Sequence, residues 1–488
     1  MSTEIELKLL LPGADPKTIA DKLAKHPALA RQVHDVLWLD NRYFDTPSLT
    51  LREQRAALRL RRVGERWIQT LKTAGVSQGG LSQRGEWEAD VASGELDRTA
   101  LDDTPWATTM DPSGELFDQL EPCFNTHCQR TTWHVQHADG TLVEVALDVG
   151  GIEAGGHSLP LLELELELVE GPPDALFEIA RALAQHMTVL PYDASKAERG
   201  YALAEGLIHA PVRARPIRLN AHIPPALAAQ ATLSEMFDQF TRNLAGLCHS
   251  NDPELVHQAR VGWRRWRSAA RLFRPWLPAL PDRNGLRPLL DALGRLRDLD
   301  VVRTETLPHW TNAYLAHDAA GRAKDIKKAH ALLETACQAE RETVREALRQ
   351  PANGQALLGF TEWLYRLPAL APHGSAPAHW ARTRLNKLQR RLKKSLEAAY
   401  EPEATEQIQH NTRLLAKRTR YSIEALTGLI PKPQAKRWAR AATDVQTRIG
   451  TDRDLKQAAH LLHLCGAAPT LVAFFQGAAA GQNEAKPH

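Results

Sequence analysis

Leu162-Glu163-Leu164-Glu165-Leu166-Glu167-Leu168 alternates leucine with glutamate along its whole length. Side chains two apart on a strand share a face, so this stretch presents its carboxylates to one side and its leucines to the other. The habit recurs in Glu4-Ile5-Glu6-Leu7-Lys8, Ala57-Leu58-Arg59-Leu60-Arg61, Trp67-Ile68-Gln69-Thr70-Leu71-Lys72, Arg84-Gly85-Glu86-Trp87-Glu88 and Glu144-Val145-Ala146-Leu147-Asp148. One such strand would pass for a solvated edge. Six do not, because the polar face of an ordinary half-buried sheet is a loose mixture of Ser, Thr, Lys, Glu and Gln, whereas here it is nearly all Glu and Arg. If the strands close into a barrel, the charged parity lines a lumen and the apolar parity packs outward against helices, the reverse of the usual inside and outside.

That lumen would gather Glu4, Glu6, Glu86, Glu88, Glu144, Asp148, Glu163, Glu165 and Glu167 with Lys8, Arg59, Arg61, Lys72 and Arg84. Crowded carboxylates in a partly desolvated site take up protons or bind cations, and oxygen-only ligands suit Mg²⁺, Mn²⁺ or Ca²⁺. Arginine and lysine in the same space suit phosphate oxygens. A lumen of both signs therefore matches a metal–polyphosphate complex. No Walker-type glycine loop is present, which argues against a P-loop nucleotidase.

The Glu4-x-Glu6-x-Lys8 start, the Arg59-x-Arg61 strand, Lys72, Arg84, the Glu163-x-Glu165-x-Glu167 strand and a following Ser195-Lys196 resemble the CYTH superfamily, the triphosphate tunnel metalloenzymes, from Met1 to about Glu205. The resemblance implies an eight-stranded antiparallel tunnel that hydrolyses a triphosphate with Mg²⁺ or Mn²⁺, nearest to bacterial inorganic triphosphatases fused to a second domain. It implies metal ligands among Glu4, Glu6, Glu163, Glu165 and Glu167, to which the lumen adds Asp148. It implies phosphate contacts from Lys8, Arg59, Arg61, Lys72, Arg84 and Lys196, with Glu4, Glu6, Lys8, Glu165 and Lys196 as the catalytic set.

After a helix over 175–187 and the Lys196 helix, the Pro- and Arg-rich segment 207–225 reads as a linker, and strand signals vanish beyond it. An all-α domain is expected over 226–480, with the end from Gly477 frayed. It contains an internal repeat. His257, Arg260, Arg264 and Arg267 fall on one helical face, and His410, Arg413, Lys417 and Arg420 repeat the spacing. Leu293-Gly294-Arg295-Leu296-Arg297-Asp298-Leu299 likewise reappears as Ile449-Gly450-Thr451-Asp452-Arg453-Asp454-Leu455. Two pseudo-symmetric helical bundles that bring these cationic stripes toward one groove would bind a polyanion by charge neutralisation.

This half, about Thr232 to Gly477, resembles the CHAD domain, a conserved-histidine helical domain that binds inorganic polyphosphate. The resemblance implies phosphate contacts from His257, Arg260, Arg264, Arg267, Arg295, Arg297, His410, Arg413, Lys417 and Arg420. In the second copy Lys456 replaces the Asp300 of the first, which counts against a metal-chelating role for the histidines.

Lys and Arg total 61 against 58 Asp and Glu, a balance that hides acids in the first half and arginines in the second. Five scattered cysteines, without a C-x-x-C pair, fit thiols in a reducing compartment. No secretory signal and no spanning apolar run are read, so a soluble cytoplasmic protein is expected. The reading is an α+β, two-domain inorganic triphosphatase (1–206) carrying a polyphosphate-binding module, with triphosphate as substrate and polyphosphate, including polyphosphate granules, as partner. The alternatives are a class IV-type adenylyl cyclase and a non-catalytic polyphosphate scaffold; nucleic acid remains open as a partner of the second half, and a membrane is not expected.

Overall fold

The computed structural model describes residues 2–217, 219–316, 319–370, 377–401, 404–448 and 451–484. Strands β1 (Ser2–Leu10), β2 (His34–Asp45), β3 (Ala57–Val63), β4 (Arg66–Lys72), β5 (Val76–Gln78), β6 (Leu81–Val91), β7 (Glu121–Gln136), β8 (Leu142–Ala154), β9 (His157–Glu170) and β10 (Leu190–Pro191) form one antiparallel sheet. Eight of them close on themselves in the order β1-β9-β8-β7-β2-β3-β4-β6, while β5 and β10 are short additions to β6 and β1. Closure falls on β1, which pairs with β6 from Ser2↔Glu86 to Leu7↔Leu81 and with β9 from Glu6↔Glu167 to Leu10↔Glu163. All six alternating stretches lie in these strands.

The apolar parity does face outward. Leu7, Leu9, Val143, Val145, Leu147, Leu164 and Leu166 are buried against Ile19 and Leu23 and against Leu176, Phe177, Ala180 and Leu183 of the helix Asp174–His186. Each leucine so buried contributes about 1.5–3 kcal/mol, which fixes the strand register, since a one-residue slip would drive the charged parity into this core. The sequence reading passed over β7, the strand that completes the wall between β2 and β8.

Beyond 224 the described residues form helices. Asp252 caps the helix Pro253–Phe273 by accepting from Glu254 N at 2.8 Å, and Thr405 does the same for Glu406–Ala425 by accepting from Ile408 N at 3.3 Å. These two repeat-related helices pack on each other in antiparallel sense, with Arg265 3.4 Å from Glu424 and Arg271 facing Arg418. Ile449 and Gly450 of the second repeat motif lie outside the described residues. The expected fraying from Gly477 is not observed as far as Glu484, because the helix Pro469–Glu484 continues through an alanine run with Phe475 and Ala479 buried in the helical core; residues 485–488 lie outside the described residues. No helix among the described residues is long and apolar enough to cross a membrane.

The two halves are in close contact. The turn Gly79–Gly80 between β5 and β6 takes left-handed φ values of 56° and 100°, and a Cβ on Gly79 would stand 2.9 Å from the Phe237 ring of the helix Pro225–Leu247. Glycine is needed there for backbone and space alike. Arg366 meets Asp174 at 2.6 Å, and Arg181 meets Glu362 at 3.0 Å, across the same seam.

Candidate active site

The lumen is a cavity of about 1280 Å³ lined by Glu4, Glu6, Lys8, Arg59, Arg61, Lys72, Arg84, Glu86, Glu88, Glu144, Glu165, Glu167 and Lys196. Asp148 and Glu163 are fully buried in its wall. The tunnel residues expected from sequence are thus brought together. Glu144 stands at a half-open position, 3.5 Å from His134.

The charges divide into three groups. In the first, Lys72 Nζ lies 2.9 Å from both Glu4 and Glu86, and Arg84 bridges Glu4 (Nε, 2.6 Å) and Glu6 (Nη2, 2.8 Å). Burial opposes the Glu4 charge, yet Lys72 and Arg84 outweigh it and hold the carboxyl below the usual range. Glu167 joins this group with Lys72 as a weaker counterweight. Burial and then the Glu4 charge, with Glu86 and Glu6 beyond it, push its carboxyl up to about 7.

The second group surrounds Lys196, the first residue of the helix Lys196–Ala204, whose start is fixed by a Ser195/Glu198 capping box. Its ammonium lies 2.7 Å from Asp148 and 2.9 Å from Glu165 and also contacts Glu163. Arg130 of β7 holds Asp148 and Glu165, each at 2.6 Å, Arg199 holds Glu163, and Lys8 lies 3.0 Å from Glu165. Burial works against Lys196, but Asp148, Glu163 and Glu165 together raise its pKa well above that of a free lysine; the Asp148 carboxyl, penalised by burial, is brought to about 2 by Arg130 and Lys196.

The third group is cationic. Arg59 reaches Glu88 and Glu86 at 3.4 and 3.5 Å, whereas Arg61 donates from Nε to Asn41 Oδ1 at 2.9 Å. Burial, then Arg59 and Arg130, lower the Arg61 pKa to about 10. A guanidinium that folding places among like charges, with Glu88 as an opposite charge beyond ion-pair distance, is poised for an anion.

The donor set suits a hard divalent cation. Carboxylate oxygens of Asp148, Glu163 and Glu165 lie within 4.8 Å of one another, although Lys196 contacts all three, and Glu4, Glu6 and Glu167 supply a second acidic group with a surplus of negative charge at Glu167. Sequence reasoning missed Arg130, Arg199 and Asn41. The β-branched and aromatic run Thr131-Thr132-Trp133-His134-Val135 marked the strand that carries Arg130.

In the helical half the first stripe stays together: His257 has Arg297 and Arg264 as electrostatic neighbours, and Arg260 has Arg264 and Arg297. Burial and then Arg297 lower the His257 pKa. Arg267 continues toward Arg283 and Arg271. Arg295, by contrast, turns away to Glu340 at 2.7 Å, and Arg297 also meets Glu305 at 2.8 Å. In the second stripe Arg413 lies 3.9 Å from Asp454 and Arg420 3.1 Å from Glu424; His410 and Lys417 sit on the same helix. Because the two helices are antiparallel, the stripes run toward the crossing from opposite ends.

Residues 2–201 match the family model of the CYTH domain and residues 231–463 that of the CHAD domain. The chain is 34% identical over 203 residues to an inorganic triphosphatase of Haemophilus influenzae, a match covering 42% of this chain and 55% of that protein, so it spans about half the length of this curated relative. The crystal structure of the CHAD domain from the plant Ricinus communis is similar at 30% identity and a TM-score of 0.50, over 57% of this chain and 93% of that one.

Proposed function

Since the chain joins a CYTH domain to a CHAD domain, we propose that its tunnel hydrolyses inorganic triphosphate to pyrophosphate and phosphate with Mg²⁺ or Mn²⁺, and that its helical half binds inorganic polyphosphate. The observation that carries the first part is one cavity lined both by Arg61, which has no carboxylate within ion-pair distance among the described residues, with its neighbours Arg59 and Arg130, and by an acidic group overloaded at Glu167. The inorganic triphosphatase name of the Haemophilus influenzae relative supports the choice of substrate.

In this reading Glu4, Glu6 and Glu167 would hold the cation, together with Glu165. The cation, when bound, neutralises phosphate oxygens and so favours attack by water. Arg59 and Arg61 grip the outer phosphate, and Lys8, Lys72 and Arg84, already on tunnel carboxylates, present their remaining N–H groups to the chain. Asp148 and Glu163 stay with Lys196, Arg130 and Arg199 and keep that wall rigid. Hydrolysis needs alignment and charge neutralisation more than covalent help: water adds to the terminal phosphorus, the P–O bond to the pyrophosphate breaks, and the released proton leaves to solvent. In the helical half, polyphosphate releases counterions along the two stripes, and tethering to such chains, as in cytoplasmic granules, would raise the local substrate concentration.

The test is phosphate release from tripolyphosphate by the full chain with Mg²⁺ or Mn²⁺, against EDTA and against Glu4→Gln and Glu165→Gln. Metal-dependent release lost in both variants is expected. Cyclic AMP and pyrophosphate formed from ATP, or tripolyphosphate bound without turnover, would overturn the reading.

A further inference from the structure

Lys196 is braced through its neighbours in the chain as well as by the tunnel carboxylates. Glu198 Oε2 accepts from Ser195 N at 3.0 Å to close the cap of its helix, and the other carboxylate oxygen accepts from Arg242 Nη2 at 3.3 Å. Arg242 Nε lies 3.7 Å from Asp193 Oδ1, and Asp193 Oδ2 accepts from Ser77 Oγ at 3.4 Å. Asp193 and Glu198 flank Lys196 on either side in the chain. Arg242, however, belongs to the helix Pro225–Leu247 of the other domain.

The contact is buried on its Asp193 side and open on its Glu198 side, where the side chain is 53% exposed. The Arg242 side chain is 19% exposed and that of Asp193 6%, and next to them Asp238, one turn before Arg242, accepts from the Gly79 amide at 2.9 Å. Asp193, Asp238 and Arg242 line the same cavity as Lys8 and Lys196, so the helical domain supplies part of the tunnel wall. An exposed ion pair orders little, so the Glu198 arm adds little alone; the buried Asp193 arm, backed by the hydrogen bond from Gly79 to Asp238, is what restrains the segment. That segment presents the ammonium on which Asp148, Glu163 and Glu165 converge.

We propose that Arg242 is a positioning residue for the tunnel reaction: by bridging Asp193 and Glu198 it sets where Lys196 stands in the lumen, so the chemistry of the first domain depends on a side chain of the second. The proposal rests on the triphosphatase reading above.

Steady-state hydrolysis of tripolyphosphate by the full-length chain, at saturating Mg²⁺, tests it with Arg242→Gln, Arg242→Lys and Glu198→Gln. Displacing a positioned group by about 1 Å can cost about 10²-fold, so Arg242→Gln is expected to lose about tenfold in kcat with KM changed less than about twofold. Glu198→Gln keeps the cap but loses the charge, and should fall in the same direction; Arg242→Lys should recover most of the rate. Wild-type kcat and KM in Arg242→Gln would overturn the proposal, as would equal losses in the Gln and Lys variants that follow the folded fraction in thermal melts. If the wild-type chain itself fails to hydrolyse tripolyphosphate, it is the triphosphatase reading that falls.

Discussion

Arg61 donates through Nε to Asn41 Oδ1 at 2.9 Å, and among the described residues no carboxylate lies within ion-pair distance of it. Burial and the neighbouring Arg59 and Arg130 make its charge costly, which lowers its pKa to about 10. Glu88, beyond ion-pair distance, offsets this cost in part, and a bound anion would relieve the rest. Arg61→Gln should raise KM for tripolyphosphate about 10- to 100-fold, the equivalent of one or two charge-assisted hydrogen bonds. It should leave the melting temperature unchanged or higher. A clear drop in stability with KM unaltered would mean that Arg61 serves the fold.

Lys196 shows the opposite economy. Its ammonium contacts Asp148, Glu163 and Glu165 together in the wall, and against burial it and Arg130 hold the Asp148 and Glu165 carboxyls below the usual range. Lys196→Met should abolish turnover and destabilise the tunnel by about 3–5 kcal/mol, because breaking a buried pair strands the opposite charge. The deficit should shrink between pH 7.5 and pH 5, as the stranded carboxyls regain protons. Urea unfolding at the two pH values measures it, and an equal loss at both would contradict the account.

The tunnel was legible in the sequence because its signal has a period of two and repeats: Glu163, Glu165 and Glu167, or Arg59 and Arg61, announce a charged face wherever a strand forms. Arg130 was not, since in β7 it alternates with Thr132 and His134 and so shows no run of like charge. Nor could any local pattern reveal that Lys196 sits among carboxylates from β8 and β9, or that Arg242 of the helix Pro225–Leu247 reaches Asp193 and Glu198 on either side of it. Those are products of closure and of domain packing. The cationic stripes were visible at helical spacing, but the turning of Arg295 toward Glu340 depends on the partner helix Ala319–Leu348.

Glu167 gives the tunnel a pH dependence whose sign is fixed by its environment. Its carboxyl titrates at about 7 in the folded chain against about 4.5 when unfolded. Between those values the folded state binds more protons than the unfolded one, so the metal-free protein should lose stability as pH rises from 4.5 through 7, by about 1–2 kcal/mol once partial solvation is allowed for. A divalent cation should cancel that loss by taking the place of the proton. Thermal melts in EDTA and in Mg²⁺, with Glu167→Gln as control, check it; the variant should be flat over the same range in EDTA.

The helical half should show a linked response to salt and pH. His257 is kept largely neutral near pH 7, because burial and then Arg297 lower its pKa. A phosphate chain laid along His257, Arg260 and Arg264 replaces that repulsion with attraction, so binding should take up a proton at His257 and tighten as pH falls from 7.5 to 6. His257→Gln should remove the pH dependence and keep the steep salt dependence, which comes from the permanent cations. Arg264→Ala with Lys417→Ala should do the reverse, lowering the slope of log K against log salt by about one to two. Because the helices are antiparallel, with Arg265 at Glu424 and Arg271 at Arg418, a chain must span the crossing to feel both stripes. At about 1.5 Å of rise per residue, the helical path from His257 to the crossing near Arg267 is about 15 Å, and the path from His410 is similar. Affinity should accordingly climb with chain length until the phosphate is about 30 Å long and then level off, and the Arg264/Lys417 double variant should bind long and short chains alike. Titration calorimetry with size-selected polyphosphates measures the break; affinity that does not depend on length would mean that each stripe binds alone.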